Sequence, residues 1–90
     1  MEHVRMYSTA ICPYCLMAER LLFAKGVKTI EKLRVDLDPK IREEMITSTH
    51  RRTVPQIFIG DVHVGGFDDL HRLERQGELD SLLRGPFPEA

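Results

Sequence analysis

Apolar and polar positions alternate with period two along His3-Val4-Arg5-Met6-Tyr7, which predicts a strand. Ser8 to Ile11 reads as a loop, and Pro13 sits where a helix can begin, since its missing N–H costs nothing in the first turn. That helix should run to about Lys25 and stop at Gly26. Winding residues 15–25 at about 100° each puts Met17, Ala18, Leu21 and Leu22 on the core side. Leu16 and Phe23 then fall beside Glu19 and Arg20, facing water. Leu33, Val35 and Leu37 alternate with Lys32, Arg34 and Asp36, which predicts a second strand. Asp38-Pro39 is an N-cap followed by a first helical residue, opening a helix to about Ser48. Gln56 to Ile59 is a short β-rich run, Gly60-Asp61 a turn, and Val62-His63-Val64 its return strand. Asp68-Asp69 places acidic residues in the first turn of a third helix, which Gly77 ends or breaks.

The predicted order is β-α-β-α-β-β-α. Its first three elements form a βαβ unit, so strands one and two should be parallel with a right-handed crossover. The hairpin adds antiparallel strands, giving an α/β fold with a four-stranded mixed sheet and helices on both faces. A chain of 90 residues makes one domain spanning 1–90, with an irregular tail over 85–90.

Composition narrows the function. Hydrophobic content of 42% with 30% charged residues describes a soluble globular chain rather than a disordered one. A net charge of −1 leaves no basic excess for nucleic acid, and no apolar run is long enough for a membrane. The N-terminus lacks the basic-then-apolar layout of a signal peptide, so the expected location is cytoplasmic.

That location changes how the two cysteines are read. Structural disulfides are rare in a reducing compartment, and a bridge between Cys12 and Cys15 closes too small a loop to restrain much of the unfolded chain. Chemistry explains the pair better. Cys12 falls at or just before a helix N-terminus, where unpaired N–H groups and the dipole favour a thiolate. Cys15 follows one turn later, within reach of a mixed disulfide on Cys12. Two other readings compete. A structural zinc site wants four ligands, whereas His3, His50, His63 and His71 are scattered singly, so no metal is expected. Two inert core cysteines would suit burial, which a helix-start position opposes for Cys12 but not for Cys15.

Cys12-Pro13-Tyr14-Cys15, Thr53-Val54-Pro55 followed by Gln56-Ile57-Phe58-Ile59, and Gly65-Gly66-Phe67-Asp68-Asp69-Leu70 together resemble the glutaredoxin family in its compact bacterial dithiol form. The resemblance covers about residues 3 to 84. It implies a thioredoxin-like fold and a monomeric glutathione-dependent thiol–disulfide oxidoreductase, with glutathione as its reductant. Its partners would be disulfide-bearing or glutathionylated proteins, with ribonucleotide reductase as a candidate. Cys12 would attack the substrate and Cys15 would resolve protein mixed disulfides. Pro55 would be cis, placing the Val54 backbone beside Cys12 to pair with the cysteinyl part of glutathione. Tyr14, Arg52, Thr53, Gly66, Phe67, Asp68 and Asp69 would complete the glutathione site. The N–H groups of Phe67 and Asp68 would take the γ-glutamyl carboxylate, and Asp68 or Asp69 its ammonium. Without the resemblance, a strand start and an N-capped acidic first turn would account for the same residues.

One departure bears on affinity. Relatives often carry Lys three residues before the first motif cysteine, and here that position is Thr9. Arg51 or Arg52 is the candidate replacement cation, since a guanidinium fork binds carboxylates well. Two alternatives to the leading reading differ in class: a small redoxin reduced by thioredoxin reductase, and a glutathione-ligated iron–sulfur carrier. Asp68-Asp69 and the glycine pair oppose the first; Pro13 and Tyr14 oppose the second.

Overall fold

Eight elements follow one another among residues 1–85, the residues that this computed structural model describes: β1 (Val4–Ser8), α1 (Pro13–Ala24), β2 (Glu31–Arg34), α2 (Pro39–Thr49), β3 (Gln56–Ile59), β4 (Val62–Gly65), α3 (Phe67–Arg75) and α4 (Leu79–Arg84). The strands form one sheet in the order β2-β1-β3-β4. β1 pairs parallel with β2 and antiparallel with β3, and β3 pairs antiparallel with β4. The sheet is therefore mixed, as the element order predicts, and the fold is the thioredoxin-like one that the resemblance implies.

The pleat divides the central strands between two cores. Val4, Met6, Ile57 and Ile59 point to the side covered by Ala18 and Leu22 of α1, Leu70 of α3, and Leu79 and Leu83 of α4. Tyr7 and Phe58 point to the opposite side and pack with Val35 and with Met45 of α2. A buried tyrosine hydroxyl needs a partner, and Tyr7 donates to Glu44 on α2 at 2.6 Å. Burial and the Glu44 carboxylate together push its pKa up.

Local chemistry sets the helix ends. Lys25 caps α1, and Gly26 beyond it adopts φ +97°; the Val27 N–H returns to the Leu22 carbonyl at 3.1 Å. Asp38 caps α2 by accepting from the Lys40 N–H at 2.9 Å, with Pro39 as its first residue. Lys25 also reaches Glu74 of α3 and Asp80 of α4, tying the far end of α1 to both.

Three particulars differ from the sequence expectation. β2 ends at Arg34 rather than running to Leu37. β1 stops at Ser8, so the ladder has no partner further on than the Val35 N–H bond to the Ser8 carbonyl. Asp36 then folds back onto Arg34, leaving Leu37 exposed. Met17 is exposed rather than buried, because Cys15 is itself buried and draws the centre of the α1 stripe towards Cys15, Ala18 and Leu22. Gly77, at φ +74°, separates two helices, so a short α4 follows α3. Leu16 and Phe23 face water as expected. Gly85 lies outside α4, and the rest of the expected irregular tail, 86–90, lies outside the described residues.

Leu22 has no exposed surface and sits where α1 meets the sheet. Leu22→Ala should cost about 2–5 kcal/mol in urea unfolding, whereas Phe23→Ala, one position along, should cost less than about 0.5 kcal/mol. Equal costs would mean that the helix is rotated from the orientation described.

Candidate active site

The end of β1 delivers Cys12 to the start of α1. Cys12 is the N-cap residue, with extended backbone (φ −148°, ψ 95°), and its carbonyl accepts the first helical bond from Leu16 at 3.1 Å. Its Sγ accepts from the Cys15 N–H at 3.1 Å. The sulfur thus takes the N–H at the third helical position, as a capping oxygen would, while Pro13 at the first position adds no unpaired N–H. The two cysteines are joined in a disulfide, with Cα atoms 5.2 Å apart. They differ in access: Cys15 is 5% exposed within the α1 core, whereas Cys12 is partly open.

The loop ahead of Cys12 is held from β2. The Ala10 N–H donates to Asp36 at 3.2 Å, and Arg34 grips the same carboxylate with two bonds of 2.7 and 2.6 Å. The Arg34 guanidinium draws the Asp36 carboxyl down to about 2. Thr9, where relatives often have Lys, spends its hydroxyl on the Ile11 carbonyl at 3.3 Å.

The cysteines line a hollow of about 520 Å³ with Ser8 to Pro13, Glu19, Lys32 and Arg34, while a separate groove of about 220 Å³ is lined by Tyr14, the residue between Pro13 and Cys15. Tyr14 of α1 forms one wall; Thr53, Val54 and Pro55 form the floor; Gly66 to Asp69, where α3 begins, form the other wall. The fold thus gathers ten of the eleven site residues expected from the sequence at the groove or in the disulfide. The Val54–Pro55 bond is cis, as the resemblance implies. Arg52 is exposed and outside the lining, while its neighbour Arg51 is part of it. Gln56 also lines the groove. Sequence reasoning missed it, although a lone polar residue opening an apolar strand is a visible signal. Volume does not mark the site: a hollow of about 1010 Å³ between β4, α3 and α4 includes no residue of the Cys12–Cys15 segment, whereas the smaller groove includes Tyr14.

The two aspartates are not equivalent. Asp69 accepts from the Gly66 N–H at 2.9 Å and from Arg51 at 3.0 Å, with Arg72 at 3.7 Å. Burial opposes its ionisation, but the Gly66 N–H and the Arg51 guanidinium outweigh that and hold its carboxyl below the usual range. Asp68 is exposed and makes no such bond. Gly66, the N-cap, has no side chain to cap α3 and its own N–H is taken by Asp69, which leaves the N–H groups of Phe67 and Asp68 open to an anion. Tyr14 and Phe67 line the rim with ring centroids 6.3 Å apart, and His71 stacks on Phe67 at 5.6 Å.

Among the described residues, no group of three or more His, Cys, Asp or Glu is placed to hold a metal ion, and no helix is long and apolar enough to cross a membrane.

Gly65 is required where it stands. Its φ is +112°, and a Cβ there would run into the Asp69 carboxylate and lie 3.0 Å from an Arg51 guanidinium nitrogen. Gly66 has an ordinary φ of −89°, and a Cβ there would meet only the Pro55 carbonyl oxygen at 3.6 Å and Asp69 at 4.0 Å. Gly65→Ala should therefore lose about 1–3 kcal/mol or more, while Gly66→Ala stays within about 1 kcal/mol of wild type. Denaturant midpoints for the two variants check this, and a tolerant Gly65 would contradict the geometry.

Comparison with known proteins gives the family. The Glutaredoxin family model matches residues 4–64, more than half of the chain. A glutaredoxin of Neisseria meningitidis serogroup A is 54% identical over 83 residues, covering 92% of this chain and 98% of that protein. Glutaredoxin 3 of Escherichia coli K12 is 48% identical over 84 residues, covering 93% of this chain and 100% of that protein. A buckwheat glutaredoxin solved in complex with glutathione superposes with a TM-score of 0.82 at 28% identity, over 91% of this chain and 76% of that one. Identity at this level, spread over nearly the whole length and joined to a redox cysteine pair at the start of α1, shows that the chain belongs to the glutaredoxin family of thiol–disulfide oxidoreductases.

Proposed function

We propose that this chain uses glutathione to reduce glutathione mixed disulfides and protein disulfides, acting as a monomer in the cytoplasm. One observation carries the reading. The backbone N–H and C=O of Val54 have no partner among the described residues, although Val54 lines the groove with Tyr14 and the start of α3. An extended tripeptide can pair with such a segment as an added strand does. The open N–H groups at the start of α3 suit the γ-glutamyl carboxylate, and Asp68 suits the ammonium, because Asp69 is already engaged by Gly66 and Arg51. The glutathione-bound buckwheat relative supports the same ligand.

The chemistry follows from access. The reduced Cys12 thiolate, stabilised at the helix N-terminus, attacks the glutathionyl sulfur of a mixed disulfide and expels the substrate thiolate. A second glutathione thiolate attacks the new Cys12–glutathione bond, releasing glutathione disulfide and restoring the Cys12 thiolate. With a protein disulfide, Cys12 forms the mixed disulfide. The Cys15 thiolate then attacks Cys12 Sγ, expels the second protein thiolate and leaves the Cys12–Cys15 bond seen here. Two glutathiones reopen it. Cys15, buried behind Cys12, is reached only from within the molecule. The family resemblance makes ribonucleotide reductase the protein disulfide to try first.

In an assay coupled to glutathione reductase and NADPH, Cys12→Ser should abolish turnover of a small glutathionylated substrate, whereas Cys15→Ser should retain it. Equal loss in both variants would point to a dithiol-only route, and turnover with thioredoxin reductase alone would overturn the glutathione reading. Asp68→Asn should raise KM for the mixed disulfide about tenfold with kcat unchanged, the size expected for one charge-assisted bond. If Asp69→Asn alone raised it, with folding intact, the two aspartates would have been assigned in the wrong order.

A further inference from the structure

Gln56 is a polar side chain in an apolar strand, and it is 1% exposed. Its Nε2 donates to the Thr53 carbonyl at 3.0 Å and lies 3.4 Å from the Thr53 hydroxyl. With the amide nitrogen committed to Thr53, its Oε1 is the acceptor for His63, whose Nε2 lies 2.8 Å away. The imidazole must therefore carry its proton on Nε2. A chain of donors thus runs from His63 on β4, through Gln56 on β3, to the loop ahead of β3. The imidazole is held in turn: the Phe58 ring packs against it at 5.0 Å, and the Arg5 guanidinium covers Phe58 at 4.4 Å.

The end of this chain is the peptide that matters. The Thr53 carbonyl and the Val54 N–H belong to one planar trans unit, so they point in opposite directions. Gripping the carbonyl fixes the N–H pointing away from Gln56. No ladder bond does this, because the pairing of β3 with β1 begins only at Gln56.

We propose that Gln56 and His63 are positioning residues for the glutathione groove, orienting the Thr53–Val54 peptide so that Val54 presents its backbone to the tripeptide. The inference rests on the glutathione reading above. It assigns a role to a histidine on the edge strand that neither lines the groove nor touches the cysteines.

Gln56→Ala removes a fully buried side chain and risks the fold, so His63 carries the test. His63→Val removes the donor and keeps a strand-forming residue; His63→Gln keeps an N–H donor. In the coupled assay with a glutathionylated peptide, His63→Val should raise KM about fivefold, the effect of losing one hydrogen bond of typical strength. Its kcat and the pH profile of Cys12 alkylation should stay as in wild type. His63→Gln should return KM towards the wild-type value. A wild-type KM in His63→Val, in a protein that does use glutathione, would overturn this inference alone. So would a KM in His63→Gln as high as in His63→Val, which would mean that packing on Phe58 is what counts, and so would a shifted Cys12 profile, which would mean a general distortion. A wild-type protein that does not turn over with glutathione would overturn the groove reading and this inference with it.

Discussion

The antiparallel pairing of β1 with β3 is the constraint on which the rest depends. Its register sets Tyr7 opposite Gln56, so the last turns of β1 lie beside the first residue of β3. Four residues beyond Ser8 comes Cys12, and two before Gln56 comes Val54. Cys12 and Val54, 42 residues apart in sequence, pack against the same core because one pair of strands is in register. Two cores enforce that register from opposite faces, since a slip of one residue would turn Val4, Met6, Ile57 and Ile59 out of the α1 side together. Val54 shows the result at one residue: its side chain packs against both cores while its backbone is left open.

Much of this was legible in the sequence. Period-two alternation located β1, a β-rich run with the Gly60-Asp61 turn located the hairpin, Pro13 and Asp38-Pro39 located two helix starts, and Gly26 and Gly77 located two helix ends. These signals are local, and each is carried by the residue that causes the structure. What was less legible depends on contacts between distant segments. The end of β2 is decided by where β1 stops. The exposure of Met17 is decided by the burial of Cys15. Arg51 lines the groove, as its neighbour Arg52 does not, because Asp69 waits eighteen residues later. Gln56 could be seen as an oddity, but its role needs His63, which belongs to another strand.

Charge around the site is arranged in closed pairs. Lys32 meets Glu19 and Arg34 meets Asp36 along the hollow next to the cysteines, and Arg51 meets Asp69 in the groove. Exposed pairs of this kind add little stability. Among the described residues, the two cations that share a hollow with Cys12, Lys32 and Arg34, are thus each held by a carboxylate. Thr9 fits that arrangement, since it adds no charge and braces the loop instead.

The unequal access of the two sulfurs has a consequence under oxidative stress. A peroxide arriving from solvent meets Cys12 and leaves a sulfenic acid there. Cys15, sealed in the core but within bonding distance, condenses with it at once, losing water and forming the disulfide. The burial of one thiol thus shields the other from the irreversible steps of the oxidation ladder, and damage is diverted into a disulfide, which thiols can reopen.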